Sequence, residues 1–303
     1  MSNVLITGGT IFVSKYLAEY FVNKGDNVFV FNRNTHPQVN GVRLIQGDKG
    51  TVCDELRKYD FDLVLAVNIY TKQEAENLLN SLGEVKDFVF ISSSAVYPET
   101  TALPFQETAP TGYNSIWKDY GTNKAEAEKY LSEKLPNAYL LRPPYFYGKY
   151  QNLYREGFVF DCALKGMPFY LPQEGKMKLQ FYNVHDLCLL IDQIIAVQPK
   201  QHIFNVGNRE IVDIHTWVEM CYDIVGAKLD KVFVDRSHEQ RSYFPFYRYE
   251  YYLDVTAQYE LLPDTIPLYD GLKAEFEWYK DNQNDVMKKT AYFEYINNIL
   301  QVR

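Results

Sequence analysis

The strongest constraint on the fold is the alternation of short apolar runs with helical patterns through the first half of the chain. The runs VLIT, NVFVF and FDLVLAV contain almost no polar residues, which is typical of strands in a parallel sheet buried on both faces. Amphipathic stretches lie between such runs, notably 12–24, 72–82 and 120–135. The alternation predicts an α/β fold with a doubly wound, parallel, Rossmann-type sheet, whose ligand site lies at the carboxyl ends of its strands.

The rhythm becomes irregular after Gly148, and no low-complexity linker follows. We therefore expect a second part that packs onto the sheet. The predicted domains are a dinucleotide-binding domain and a smaller, mostly C-terminal α/β substrate lobe. The first covers 1–148, with 176–206 returning to it, and the second covers 149–175 and 207–303.

Two helices in the second half have recognisable ends. In FYNVHDLCLLIDQIIAV a turn is expected to lead into a helix capped by Asp186. In IHTWVEMCYDIVG a helix is expected to stop at Gly226.

Composition narrows the functional classes. The chain has 303 residues with 39 acidic and 31 basic side chains, and its net charge of −8 argues against a general nucleic-acid binder. It has no apolar run near the ~18 residues of a membrane helix, and it starts without a secretory pattern. Its scattered cysteines and histidines suggest no metal site. We expect a cytoplasmic protein with a small-molecule substrate and no membrane or metal partner, and a nucleic-acid partner is the less favoured alternative.

The first turn, Thr7-Gly8-Gly9-Thr10, has the features of a nucleotide-binding loop. Two glycines allow the unusual backbone angles of a strand-to-helix turn, and the helix start then offers free N–H groups to a pyrophosphate. A dinucleotide fingerprint would place glycines where this chain has Ile11 and Ser14. From this turn alone, a cofactor site and a turn without ligand are about equally well supported.

Stronger evidence lies in DFVFISSSAVYP and YGTNK. The first places hydroxyl groups, including that of Ser93, at the end of a buried strand. The second places Tyr120 and Lys124 one helical turn apart on the same face. An ammonium group beside a tyrosine favours the phenolate and lowers its pKa, so Tyr120 could exchange a proton with a substrate hydroxyl while Ser93 holds the same oxygen.

The motifs TGGT, SSSAVYP, YGTNK, LRPPYFYG, FYNVHDL and FNVGN follow one another along most of the chain. In the order and spacing of these motifs, the chain resembles the NAD-dependent epimerase/dehydratase family. Members of this family are extended or atypical short-chain dehydrogenases/reductases. The resemblance implies bound NAD(P). It assigns the catalytic serine to Ser93 and the acid/base to Tyr120, and it gives Lys124 the tasks of lowering the tyrosine's pKa and binding the cofactor ribose.

The resemblance also implies a set of binding residues. Asp48 matches the acid that bonds the adenine amine, and Pro143 falls in the loop beside the nicotinamide. The predicted cofactor-binding residues are Gly8, Gly9, Thr10, Ile11, Phe12, Asn32, Arg33, Asp48, Val67, Asn68, Ser92 and Pro143. Ser94 and Tyr145 are the predicted substrate contacts.

Departures from the family pattern bear on the substrate. Ser94-Ala95 stands where nucleotide-sugar dehydratases have an Asp-Glu pair, so we expect no 4,6-dehydration. Tyr145 replaces an asparagine that grips the nucleotide sugar in UDP-galactose 4-epimerase, and Asn68-Ile69 replaces a smaller pair beside the pyrophosphate. These changes argue against a nucleotide-sugar substrate more than they argue against a bound cofactor.

The opening GGTxFxS is similar to a branch that includes chloroplast stem-loop-binding proteins and bacterial relatives. In that branch the middle glycine of the turn is also replaced. Some of its plant members are associated with RNA, so an RNA-binding or RNA-processing role is an alternative. No dense run of lysine and arginine supports that role here.

The end of the second strand bears on the choice of cofactor. Asn32 stands where an acid would bind the ribose 2′-hydroxyl of NAD, and Arg33 follows it. Without a carboxylate to repel it, a 2′-phosphate could pair with the guanidinium. We therefore favour NADP over NAD. The alternative is that Arg33 is a surface residue that stacks on adenine, which is compatible with either cofactor.

The leading hypothesis is an NAD(P)-dependent oxidoreductase or epimerase acting on a secondary alcohol or ketone of a sugar or nucleotide sugar. The alternatives are an RNA-binding protein on the same fold and a non-catalytic NAD(P)-sensing regulator. The apparently complete set of Ser93, Tyr120 and Lys124 argues against the regulator, because a sensor needs no proton donor. The resemblance also leads us to expect a homodimer.

Overall fold

The computed structural model describes residues 1–301 and divides into two compact units. The first unit comprises Met1–Phe146, Val184–Gly207 and Leu253–Thr265, and the second comprises Tyr147–Asn183, Asn208–Tyr252 and the chain from Ile266 onward. The predicted substrate lobe includes residues 253–265. In the structure, Leu253–Thr265 lies in the first unit. The functional roles of the two parts stay predictions.

Strands and helices are numbered along the chain. The strands are β1 (Asn3–Thr7), β2 (Asn27–Asn32), β3 (Arg43–Gln46), β4 (Phe61–Ala66), β5 (Val85–Ile91), β6 (Tyr139–Arg142), β7 (Tyr145–Tyr147), β8 (Phe169–Pro172), β9 (Lys178–Asn183), β10 (Ile203–Asn205), β11 (Ile211–Asp213) and β12 (Lys231–Val234). The helices are α1 (Phe12–Asn23), α2 (Lys72–Ser81), α3 (Asp119–Lys134), α4 (Glu156–Leu164), α5 (Val184–Val197), α6 (Ile214–Val225), α7 (Thr256–Leu261), α8 (Leu268–Asp281) and α9 (Thr290–Tyr295).

The first unit is built on a seven-stranded sheet in the order β10-β6-β5-β4-β1-β2-β3. Every neighbouring pair is parallel, which confirms the predicted doubly wound fold. The strand order reverses between β1 and β4. In open parallel sheets such a reversal leaves a crevice at the carboxyl ends of the two strands, and ligands bind there.

One face of the sheet is covered by α2 and α3. Apolar side chains of the strands are buried together with those of the two helices, which explains the unbroken apolar runs in the sequence. This core includes Leu5, Phe29, Val64, Phe90 and Leu140 from the sheet, and Leu78, Ala127 and Leu131 from the helices. Helix α1 contacts α5. The core thus fixes the start of α3, where Tyr120 lies.

The second unit contains the strands β8, β9, β11 and β12 and the helices α4, α6, α8 and α9. Strands β8 and β12 pair in parallel, and β9 pairs with β11 in antiparallel fashion. Helix α6 is capped by Asp213, whose carboxylate accepts from the Thr216 N–H at 2.7 Å. It ends at Gly226 with φ 79°, which confirms the predicted stop.

Two local predictions in FYNVHDL are wrong. Residues 178–183 form strand β9 rather than a turn, because Leu179 and Phe181 are buried apolar residues in alternation. Helix α5 begins at Val184, so Asp186 lies inside its first turn and does not cap it. None of the helices within residues 1–301 combines the length and apolar character needed to cross a bilayer.

Candidate active site

The turn after β1 depends on its two glycines. Gly8 has φ 98° and Gly9 has φ 90°, a conformation that other residues rarely adopt. A Cβ atom on Gly9 would lie 2.5 Å from Val30 Cγ1, and one on Gly8 would lie 2.9 Å from Ser14 Oγ. Ser14 therefore occupies the space beside Gly8, and its hydroxyl donates to the Ile11 carbonyl at 2.9 Å. The backbone of this turn is thus held without the later glycines of the fingerprint.

A cavity of about 210 Å³ lies against this turn, at the carboxyl ends of β1 to β4. Ile11 lines it and is 45% exposed, whereas Ile69 is buried in the core beneath the sheet edge. The lining residues predicted from the sequence are Gly8, Thr10, Ile11, Asn32, Arg33, Asp48 and Asn68. This placement fits a nucleotide lying over the first turn.

The cavity also contains residues that the sequence analysis missed. They are Phe31, Thr35, His36, Gly47 and Lys49. Gly47 and Lys49 flank the predicted Asp48, and Phe31 precedes the predicted Asn32. These three could have been found from the sequence as neighbours of predicted binding residues. Thr35 and His36 lie in the irregular segment after β2, whose path no periodicity specifies.

Asn32 is engaged by its own protein. Its amide group donates to the Gly8 carbonyl at 2.6 Å, and its carbonyl oxygen accepts from the Asn34 N–H at 2.8 Å. Asn32 thus braces the glycine turn. The Arg33 guanidinium is mostly exposed, and its Nε lies 3.9 Å from Asp48 Oδ2. The cation beside β2 is therefore available to an anionic ligand.

Two buried polar atoms at the same sheet edge have no hydrogen-bond partner within residues 1–301. They are Asn68 Oδ1, after β4, and Ser92 Oγ, after β5. A buried polar group without a partner costs about 1–3 kcal/mol, so such groups indicate a missing ligand or water. With the glycine turn, these atoms satisfy the steric and polar requirements of a bound dinucleotide.

The Ser93 hydroxyl lies close enough to the Tyr120 phenol to favour its ionised form. Ser93 Oγ also accepts from the Ala95 N–H at 3.1 Å, which orients the hydroxyl at the end of β5. Tyr120 lies in the first turn of α3 and is 43% exposed. Two hydroxyl groups at a partly open strand end can hold one substrate oxygen between them.

The pKa of Tyr120 lies above its usual value. Desolvation is the main cause, and the interaction with Ser93 opposes it only in part. We expected a pKa lowered by Lys124, and the structure gives a raised pKa because desolvation outweighs the effects that favour the phenolate. Tyr120 thus holds its proton at neutral pH and is set up as an acid.

Lys124 is buried and held by two backbone carbonyls. Its Nζ donates to the carbonyls of Ile69 and Ile91, each at 2.7 Å, and so ties the ends of β4 and β5 together. Desolvation lowers its pKa to about 7, although Glu128 acts in the opposite direction. Because two N–H groups are used internally, one is left for a ligand when the amine is charged.

The remaining predicted residues lie around this edge. Val67 donates its N–H to Thr7 Oγ1 at 2.9 Å, and Pro143 accepts from the Ser94 N–H at 2.9 Å. Phe12 is buried at the start of α1 with φ 36°. The Tyr145 ring lies 6.4 Å from that of Trp117. Ser94 is buried, and its role as a substrate contact stays a prediction.

Comparisons with known proteins agree with this geometry. The model of the NAD dependent epimerase/dehydratase family matches residues 4–207, more than half of the chain. The chain is 26% identical, over 72% of its length, to the chloroplast stem-loop binding protein of 41 kDa b from Arabidopsis thaliana. The match spans 62% of that plant protein.

Two further proteins match over nearly the whole chain. A UDP-N-acetyl-alpha-D-glucosaminuronate decarboxylase from Bacillus cytotoxicus is 25% identical over 93% of this chain and 98% of its own. A dTDP-glucose 4,6-dehydratase from Bacillus anthracis, solved in complex with NAD, is 18% identical with a TM-score of 0.74, covering 94% of this chain and 99% of its own. The structural match shows a shared fold.

Proposed function

This chain belongs to the NAD dependent epimerase/dehydratase family, and from that premise we propose that it is an NAD(P)-dependent oxidoreductase or epimerase. Its substrate is the secondary alcohol or ketone of a sugar nucleotide. The observation that carries the proposal is the arrangement of three residues: Ser93 at the end of β5, Tyr120 in the first turn of α3, and Lys124 anchored on the carbonyls of Ile69 and Ile91. A sugar nucleotide is favoured because the Bacillus relative and the solved dehydratase both carry such substrates in their names.

Tyr120 is the proton donor and acceptor. Its raised pKa keeps the phenol protonated, so it can give a proton to the oxygen of a ketone that is being reduced. In the reverse direction the phenolate would take the proton from an alcohol. Ser93 donates to the same oxygen and keeps it within reach of the phenol.

Lys124 supports both ligand and acid. Its remaining N–H can bind a ribose hydroxyl, and its charge favours the phenolate that forms when Tyr120 gives up its proton. The cavity residues Gly8, Thr10, Asn68 and Arg33 would hold the adenosine and pyrophosphate half of the cofactor. The nicotinamide, when bound, supplies hydride transfer to or from the carbon that bears the reacting oxygen.

We favour NADP over NAD. Asn32 is braced against the first turn and offers no carboxylate to a ribose diol. Arg33 and His36 line the same cavity and can meet a 2′-phosphate. The bound NAD of the solved dehydratase belongs to a protein only 18% identical, so it does not decide the cofactor of this chain.

We propose that the protein does not catalyse 4,6-dehydration, and the only ground is that Ser94-Ala95 stands in place of the Asp-Glu pair. The solved dehydratase shares the fold, so the fold does not separate dehydration from epimerisation. Ser94 and Ala95 are buried and carry no acid or base at the position of the Asp-Glu pair.

Turnover by matched variants tests the proposal. Wild-type protein with NADP or NAD is given UDP- and dTDP-linked hexoses and their 4-keto forms, with product formation followed by proton NMR. We expect conversion of at least one sugar. Tyr120→Phe should lower the rate by about 10²–10⁴-fold, because it removes the proton-transfer group.

Tyr130→Phe is the matched control. Tyr130 and Lys134 repeat the spacing of Tyr120 and Lys124 further along α3, so this variant should keep the wild-type rate. Equal rates in wild type and Tyr120→Phe, or turnover with neither cofactor, would contradict the proposed mechanism. A cofactor-binding protein that converts no sugar would instead favour the sensing regulator.

An RNA role is supported by the name of the Arabidopsis relative. The net charge of −8 opposes it, since nonspecific RNA binding depends on neutralised phosphates and weakens steeply with salt. Micromolar or tighter binding of a stem-loop RNA that falls steeply between 50 and 200 mM salt would favour this alternative.

A further inference from the structure

Tyr70 lies at the carboxyl edge of the sheet, four residues after the end of β4. It was not among the residues predicted from the sequence. The residue is 44% exposed although its side chain is large and apolar in part. Its backbone N–H donates to the Glu74 carboxylate at 2.6 Å, so the start of α2 fixes its place.

The Tyr70 ring is shared by two ammonium groups. Lys49 Nζ lies 4.0 Å from the ring centroid, and Lys124 Nζ lies 5.1 Å from it. The ring of Tyr120 is 6.3 Å away. Tyr70 therefore stands between the nucleotide cavity, which Lys49 lines, and the group that is to transfer the proton.

Two like charges near one buried site are costly unless something compensates them. Lys49 is held by the Asn68 carbonyl at 2.6 Å and by Glu74 at 3.1 Å. Lys124 has two carbonyls and the ring of Phe90, 4.6 Å away. Both amines are near the Glu74 carboxylate and over the Tyr70 ring. The electron-rich face of Tyr70 is the uncharged feature that they share, and such a face stabilises a nearby cation.

We propose that Tyr70 is a positioning residue of the active site, whose ring face keeps the Lys124 ammonium charged and in place beside Tyr120. The inference rests on the proposed function, because only there does the charge of Lys124 matter for turnover. Tyr70 acts through Lys124, so we do not assign it a role in the proton transfer itself.

The charged groups around Lys124 set the direction of each expected effect. Burial and Lys49 lower its pKa, while Glu128 on α3 and Glu74 on α2 raise it. Replacing the ring by an aliphatic group of similar size keeps water out but removes the attraction. The Lys124 pKa should then fall from about 7.

The test is a pH titration of the full chain labelled with ¹³C at the lysine ε-carbons. The Lys124 signal is identified by its loss in Lys124→Met. In Tyr70→Leu we expect its midpoint to fall by about half to one pH unit, as a cation–π contact of this kind implies. Tyr70→Phe, which keeps the ring face, should titrate like wild type.

Two further variants test whether the shift in the Lys124 midpoint comes from charge effects. Lys49→Gln should move the midpoint upward, because it removes a like charge. Pentafluorophenylalanine at position 70 keeps the shape but reverses the charge pattern of the ring, so it should lower the midpoint even if Tyr70→Leu does not fold. A Lys124 midpoint that stays unchanged or rises in both ring-altered proteins would overturn the proposal.

The titration needs neither cofactor nor substrate. Failure of the proposed function, seen as no turnover of sugars by wild type, is therefore distinguishable from failure of the Tyr70 proposal. If turnover is found, the alkaline limb of the wild-type kcat profile should move to lower pH in Tyr70→Leu, with a smaller change in cofactor KM.

Discussion

Each side chain at the candidate site has more than one task, and Lys124 shows this most directly. Its two hydrogen bonds to the carbonyls of Ile69 and Ile91 tie the ends of neighbouring strands together, while its third N–H and its charge are left for the proposed ligand. Burial brings its pKa to about 7, so the charge is sensitive to small changes nearby. Desolvation of the phenol raises the pKa of the partly exposed Tyr120, which suits a proton donor.

Arg33 gives a prediction at the scale of one residue. Arg33→Gln should weaken NADP binding roughly five- to tenfold, about 1 kcal/mol for an exposed ion pair, and leave NAD binding unchanged. Isothermal titration with each cofactor measures this. Lys86→Gln, an exposed lysine at the opposite end of the sheet on β5, is the control. Equal loss of NADP and NAD affinity would show that Arg33 does not read the 2′-phosphate.

The residues that sequence could locate are those at ends of regular elements. Ser93 follows β5 and Tyr120 begins α3, and periodicity alone brings such positions to one sheet edge. Lys49 and Tyr70 were missed because their contacts depend on loop paths and on side-chain directions. The pKa of Tyr120 was predicted in the wrong direction because the sequence does not show the desolvation of its phenol, which raises that pKa.

At the scale of elements, the turn between β1 and α1 decides whether a dinucleotide can lie on the sheet. Gly8 and Gly9 supply its positive φ angles, and Ser14 and Asn32 brace it through the carbonyls of Ile11 and Gly8. Hydrogen bonds to the turn thus replace part of what close glycine packing does in the fingerprint. The parallel sheet around it followed from the sequence, because unbroken apolar runs are typical of strands buried on both faces, whereas the strand order came from the structure.

Gly9→Ala tests this turn. The added Cβ would meet Val30 Cγ1 at 2.5 Å at a φ of 90°, so we expect a loss of about 1–3 kcal/mol in stability and weakened cofactor binding. Thermal unfolding measures the first effect. Adding Val30→Ala should restore only part of it, since the backbone strain remains. Gly83→Ala, with no atom within 4 Å of the new Cβ, should unfold like wild type.

Helix α4 opens with a buried carboxyl group that the mechanism does not use. Glu156 is fully buried, and its oxygens accept no hydrogen bond from residues 1–301. Desolvation raises its pKa above the usual value, with Arg155 opposing. Desolvation likewise raises the pKa of the buried Glu275, and Glu156 adds to this. Both groups bind protons more tightly in the folded state than in the unfolded chain.

Glu156→Gln should therefore change how stability depends on pH. With a raised folded pKa, the stability contribution is full below the unfolded pKa and is lost as pH rises through the folded value. The wild-type melting temperature should fall between pH 5 and pH 8 more than that of Glu156→Gln. Glu277→Gln, an exposed glutamate on α8, is the control. Parallel pH profiles for wild type and Glu156→Gln would contradict the assignment.

For the whole molecule, the match to the family model ends where a segment of the first unit ends. The model covers residues 4–207, and Val184–Gly207 is part of that unit. Most of the second unit lies outside the match, which explains why the sequence could identify the family but not the substrate. The expected homodimer likewise stays a prediction. The net charge of −8 and the predicted catalytic residues favour a small-molecule substrate over RNA.

The most direct test of the account is whether the chain binds a nicotinamide dinucleotide. Isothermal titration of purified wild-type protein with NADP and with NAD should show stoichiometric binding of at least one, with micromolar affinity, or about −8 kcal/mol, and tighter for NADP. A folded protein that gives no heat and no thermal stabilisation with either cofactor at millimolar concentration would contradict the account.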